Sequence, residues 1–201
     1  MKNLNALGLK YGTDKASFNG NYLNTYEKIL DPIKDKITSF LEIGVHKGDS
    51  LRMWREYFQN IQIIGVDINP NCKFEEPNIK VEIGDASSTI FTQKLINKYG
   101  PFDVVIDDGS HRTSHMVQSF NLLFPYVKSG GYYIIEDLGT QTDSPDILKL
   151  GNFQDMKNFT FFDFTKEILL DFNKYPEVNS FYSEKIEQII FEKWICFIKK
   201  K

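Results

Sequence analysis

Phe102-Asp103-Val104-Val105-Ile106-Asp107-Asp108-Gly109-Ser110-His111 is a short apolar run that stops in two carboxylates, a glycine, a serine and a histidine. Residues 102–106 have the length and side chains of a buried strand. The same pattern repeats outward in both directions. Residues 38–43 end at Gly44, 61–66 at Asp67, 79–83 at Gly84-Asp85 and 132–135 at Glu136-Asp137. Between these runs the apolar spacing is helical: Leu51, Trp54 and Phe58 within 50–58, then 88–99, then Met116, Phe120 and Leu123. Ahead of them, Tyr22, Tyr26, Ile29 and Ile33 predict a helix near 21–34. Strands alternating with helices specify a doubly wound, mostly parallel α/β sheet. Residues 186–191 and 194–198, split by Glu192-Lys193, add a C-terminal antiparallel hairpin and bring the expected sheet to seven strands. Open sheets of this kind bind ligands at the carboxyl edge, where all the acidic and glycine tips fall.

Composition narrows the function. The 201 residues are 41% hydrophobic and 25% charged, ordinary for one globular domain. The whole of 1–201 is expected to form it, with a helical segment over 1–35 ahead of a core over 36–201. A net charge of −3 with scattered Lys and Arg argues against nucleic-acid binding. No apolar stretch is long enough to span a membrane. Cys72 and Cys196 match no metal-ligand spacing, and a reducing cytoplasm is their simplest home.

Glycine at Gly44 and Gly48, flanking a strand-to-helix turn, lets backbone approach a ligand closely. The spacing fits neither the dinucleotide fingerprint nor a phosphate loop, which counts against NAD and ATP. Asp67 can accept both hydroxyls of a ribose, and Asp85 can face an adenine amino group. Each residue alone could be a plain loop start. The series at successive strand ends is what points to a nucleoside. Asp107-Asp108 and Glu136-Asp137 close two strands expected to be neighbours, about 4.8 Å apart. Carboxylates so close repel one another, and a divalent cation removes that cost. Oxygen-only donors favour Mg²⁺ or Mn²⁺ over zinc. His111, three residues past Asp108, is placed to act as a general base. The simpler reading makes Asp108 and Ser110 helix caps and leaves Glu136-Asp137 in solvent. His115 and His46 read as bystanders.

Segments 40–50, 63–67, 103–111 and 130–138 resemble class I S-adenosylmethionine-dependent methyltransferases with a Rossmann-like fold. More narrowly, Asp107-Asp108-Gly109-Ser110-His111 with Ile135-Glu136-Asp137 resembles the metal-dependent sugar O-methyltransferases of the mycinamicin and tetracenomycin type. Lys10-Tyr11-Gly12-Thr13-Asp14-Lys15 resembles the segment ahead of the core in that family. The resemblance implies a Mg²⁺ site from Asp108, Glu136 and Asp137, with His111 as base. It implies S-adenosylmethionine contacts at Glu42, Gly44, Asp67, Asp85 and Asp107. It extends these to Tyr11, Thr13 and Lys15 in a segment that closes the site.

The expected reaction is in-line methyl transfer to a sugar hydroxyl of a polysaccharide or glycosylated natural product. The metal and Asp108 would acidify that hydroxyl and His111 would take its proton. Rivals are a catechol or phenol O-methyltransferase, a metal-dependent hydrolase or hydroxylase on the same sheet, and a binding module without activity. Residues 139–159 suggest no particular acceptor, and whether 145–180 form a lid is open. The family often self-associates, so a homo-oligomer is among the expectations.

Overall fold

A computed structural model describes residues 3–138, 161–172 and 181–201. Eight strands form one sheet: β1 (Ser39–Ile43), β2 (Gln62–Asp67), β3 (Glu75–Glu76), β4 (Ile79–Ile83), β5 (Phe102–Asp107), β6 (Val127–Ile135), β7 (Ile186–Glu192) and β8 (Ile195–Lys200). Their order is β3-β4-β2-β1-β5-β6-β8-β7. Strands β4, β2, β1, β5 and β6 run parallel; β8 returns antiparallel to β6 and carries β7 outside it. The strand beyond the expected seven is β3, a two-residue antiparallel pair on the edge of β4. Its charged side chains keep that edge short.

Helices α1 (Leu4–Tyr11), α2 (Leu23–Leu30) and α3 (Asp49–Tyr57) cover one face; α4 (Thr89–Tyr99), α5 (Thr113–Leu123), α6 (Phe161–Phe172) and the short α7 (Phe181–Lys185) belong to the other. Helix α2 is shorter than its apolar spacing predicts. Pro32 cannot donate a backbone hydrogen bond, and the chain tightens into a 3₁₀ turn over Asp31–Lys36. The first face packs Tyr26, Phe40, Trp54 and Phe58 ring to ring, with Tyr26 and Trp54 centroids 5.1 Å apart. The second is built on Phe120, Phe124 and Tyr133, against which α6 lays Phe164. Of the 145–180 stretch, only 161–172 lie within the described residues, together with three of the aromatics clustered near them. Residues 139–159 lie outside. Among the described residues no helix is long and apolar enough to cross a membrane.

Two features of the sheet position the site. The strand order reverses between β1 and β5, so their carboxyl ends open a crevice. Side chains alternate between faces, and paired residues in parallel strands share a face. Ile43, Asp107 and Ile135 are level with one another and face α4 and α5. Phe40, Ile106 and Ile134 face α1–α3. Two residues on from each, so do Glu42, Asp108 and Glu136.

Candidate active site

Gly44 sits at the crevice with φ 93, and a Cβ there would run into the carbonyl oxygen of Asp108. Both facts demand glycine. Gly44→Ala is expected to cost about 1–3 kcal/mol, read as a lower urea midpoint. An unchanged midpoint would mean that the β1 turn relaxes freely.

The crevice broadens into two adjoining clefts. One, of about 400 Å³, is lined by Gly44, Asp67, Asp85, Ala86 and Asp107, so it gathers the expected nucleoside residues. Asp67 accepts from the backbone N–H groups of Val45 (2.9 Å), His46 (3.2 Å) and Asn69 (2.8 Å). Partial burial works against its charge, but those three donors hold its pKa below the ordinary value. Asp85 folds onto Ser87, accepting from its N–H at 2.9 Å and its hydroxyl at 2.7 Å. Burial pushes Asp107 up to about 7, against the Tyr133 hydroxyl at 3.1 Å and the Gly109 N–H. His115 also lines this cleft, with its Nδ1 3.0 Å from the Ser110 hydroxyl.

The second cleft, of about 480 Å³, shares Gly44, Asp67 and Gly109 with the first and adds Thr13, Asp108, His111 and Asp137. Ligand atoms of Asp108, His111 and Asp137 lie within 4.8 Å of one another. His111 Nε2 is 3.8 Å from Asp137 Oδ2. Both residues are left-handed, with φ 53 and φ 57, so the chain turns sharply where their side chains meet. Tyr22 donates its hydroxyl to Asp137 Oδ1 at 2.6 Å.

The alternation of faces sets several of the expected residues behind the cleft. Glu136 does not join Asp108 and Asp137 at the cleft; it points toward α2, where its oxygens accept from the Tyr26 hydroxyl and from Lys15 Nζ, the latter at 3.0 Å. Glu42 is likewise enclosed, accepting from Ser50 Oγ at 2.6 Å and Trp54 Nε1 at 2.7 Å. Tyr11 turns to α3 and donates to Glu56 at 2.6 Å. Lys15 lies at the rear of the second cleft, yet its ammonium is committed elsewhere. It pairs with Asp108 and Glu136 and stands 3.7 Å from Glu42, with its side chain 2% exposed.

One buried ammonium therefore meets three carboxylates at the tips of β1, β5 and β6. Burial opposes the charge on Lys15, but Asp108, Glu136 and Glu42 outweigh it and hold its pKa well above the ordinary value. Burial also raises the three carboxyls, with Lys15 pulling the other way. Tyr22 and Tyr26, four residues apart, direct their hydroxyls to the neighbouring carboxylates Asp137 and Glu136. Their spacing predicted only an apolar helix face. The arrangement offers one cleft joined to a polar one in which two convergent carboxylates, Asp108 and Asp137, meet an imidazole and a fixed cation.

Known proteins share this framework. A methyltransferase-domain family model matches residues 41–138. The chain is 38% identical over 144 residues to the 8-demethyl-8-alpha-L-rhamnosyl tetracenomycin-C 2'-O-methyltransferase of Streptomyces olivaceus, spanning 68% of this chain and 38% of that protein. It is 39% identical over 144 residues to the mycinamicin VI 2''-O-methyltransferase of Micromonospora griseorubida, spanning 68% of this chain and 36% of that protein. The solved structure of the mycinamycin-pathway methyltransferase MycE with Mg, SAH and mycinamycin VI superposes with a TM-score of 0.85 at 30% identity, covering 99% of this chain and 53% of that one. The chain thus spans little more than a third of these curated relatives and about half of the solved one.

Proposed function

Because the chain carries a class I S-adenosylmethionine-dependent methyltransferase domain resembling the mycinamicin- and tetracenomycin-type sugar O-methyltransferases, we propose that it methylates a sugar hydroxyl of a polysaccharide or glycosylated natural product. The observation that carries this reading is the convergence of Asp108, His111 and Asp137 beside the cleft lined by Asp67, Asp85 and Asp107. S-adenosylmethionine, as in the relatives' chemistry, supplies a methyl group already activated on a sulfonium. Gly44 would give it room, Asp67 would accept the ribose hydroxyls, Asp85 would take the adenine amino group and Asp107 would bound the cleft.

Hard oxygen donors at Asp108 and Asp137 suit Mg²⁺ or Mn²⁺. Such a cation supplies the positive charge that lowers the pKa of an acceptor hydroxyl. Asp108 and Asp137 would hold it, with Glu136 behind them through Lys15. His111 takes the proton from the hydroxyl, with Asp137 Oδ2 3.8 Å from its Nε2. Tyr22 keeps Asp137 turned toward the cleft. The segment ahead of β1 closes the cleft with Thr13 and fixes Asp108 through Lys15.

A net charge of −3 supports a small-molecule or glycan acceptor rather than nucleic acid, and two free cysteines suit a reducing cytoplasm. The test is calorimetric titration with S-adenosylmethionine, then methyl transfer to a panel of sugars and catechols with and without Mg²⁺. Binding, and transfer to a sugar that falls by roughly two orders of magnitude or more on chelation, are expected. Absence of binding, or full turnover in excess chelator, would overturn the reading.

A further inference from the structure

A cleft of about 320 Å³ opens on the far side of Tyr22 from the carboxylate–imidazole cluster. That volume lies within the range of small-molecule sites. One wall is Asn19, Asn21 and Tyr22; the other is the β7–β8 turn, with Lys193 and Trp194. We propose that this cleft is an acceptor subsite, and that it holds the carbohydrate ring next to the one that is methylated, with Trp194 as its platform. The inference rests on the sugar-methylating reading above and names what lies beyond the reacting ring.

Three observations converge on it. Trp194 is 48% exposed, whereas the only other tryptophan, Trp54, is fully buried. An indole at a cleft rim offers a broad apolar face together with a polar N–H. Its backbone is also left-handed, with φ 67. A two-residue turn favours glycine or asparagine at such a position, and a bulky residue there is strained by about 1–2 kcal/mol. The strain sets the indole at the rim of the cleft.

The place is tied to the candidate site by two hydrogen bonds. Trp194 accepts from the Leu138 N–H at 3.0 Å, one residue beyond Asp137. Tyr22 lines this cleft and donates to Asp137. A ligand held at Asp137 that reaches around Tyr22 would meet it.

The lining suits a pyranose. Such a ring has an apolar face of C–H groups and a rim of hydroxyls that both donate and accept. An indole face matches the first, and the amides of Asn19 and Asn21 can match the second from both sides. The Lys193 ammonium lies 4.8 Å from the indole centroid and adds a donor at the rim.

Since Trp54 is sealed in the core, acrylamide quenching of tryptophan emission reads Trp194. The probes are methyl glycosides of rhamnose, glucose, galactose and mannose and the corresponding disaccharides, added to protein saturated with S-adenosylhomocysteine and Mg²⁺. At least one disaccharide is expected to shield Trp194 more than its monosaccharide does. Trp194→Ala should weaken that disaccharide by roughly two- to tenfold, with Trp194→Phe restoring most of the loss. Monosaccharide affinity should be unmoved in both variants. Equal shielding by monosaccharides, or unchanged disaccharide affinity in Trp194→Ala, would overturn the subsite. So would the absence of shielding in a protein that still binds S-adenosylhomocysteine. If S-adenosylhomocysteine itself fails to bind, the methyltransferase reading fails as well.

Discussion

Lys15→Met is expected to lower stability at neutral pH by about 3–5 kcal/mol, the cost of leaving one side of a buried ion pair uncompensated. Asp108, Glu136 and Glu42 would then share a water-excluded space with no cation among them. The Lys15 pKa is held above its ordinary 10.5, so its stabilisation is fully present below about that pH and is lost as pH rises through the folded value. The carboxyls behave differently. Burial raises their folded pKa values, so the folded state binds more protons than the unfolded one, and stability gains as pH falls through them. The deficit of Lys15→Met should therefore shrink in acid. Urea denaturation at neutral and mildly acidic pH measures this. The double variant Lys15→Met/Glu136→Gln should recover part of the loss, because it removes a charge together with its counter-charge. A Lys15→Met protein as stable as the parent at neutral pH would show that the ammonium is dispensable.

His111→Ala and Asp108→Asn are each expected to reduce methyl transfer by about 10²–10⁴-fold, the usual worth of a positioned proton acceptor and, for Asp108, of a carboxylate that would hold the activating cation. Binding of S-adenosylhomocysteine should persist in both, because neither side chain lines the first cleft. A pH–rate profile separates them. The limb that belongs to the base should vanish in His111→Ala and persist in Asp108→Asn. Near-parental turnover in either variant would remove that residue from the reaction.

That Gly44, Asp67, Asp85 and Asp107 share one cleft was legible in the sequence. A parallel sheet gathers every strand's carboxyl end at one edge, so Gly44, Asp67, Asp85 and Asp107 had to meet once the strands were recognised. The carboxylates were harder. Being at a tip does not decide which way a side chain points, and alternation turns Glu42 and Glu136 inward while left-handed Asp137 turns to the cleft. That alternation was itself available: Phe40-Leu41-Glu42, Ile106-Asp107-Asp108 and Ile134-Ile135-Glu136 put an acid two residues after a core residue each time. The need for positive charge was therefore visible, and a divalent ion was its obvious source. The resemblance brought Lys15 to the site as a cofactor contact, but not as a second source of that charge, since it reaches Asp108 and Glu136 across 93 and 121 residues. No local periodicity encodes such a pairing.

The lysine from the N-terminal loop has a consequence for how the molecule divides. The sheet looks self-contained from β1 onward, yet its most acidic spot is neutralised from outside that stretch. A truncation just ahead of β1 would sever that neutralising group and also discard Tyr22 and Tyr26, whose hydroxyls cap Asp137 and Glu136. The leading helices are thus less an appendage than a plug, and an excised core should behave as an incomplete, acid-loving fragment rather than an autonomous unit.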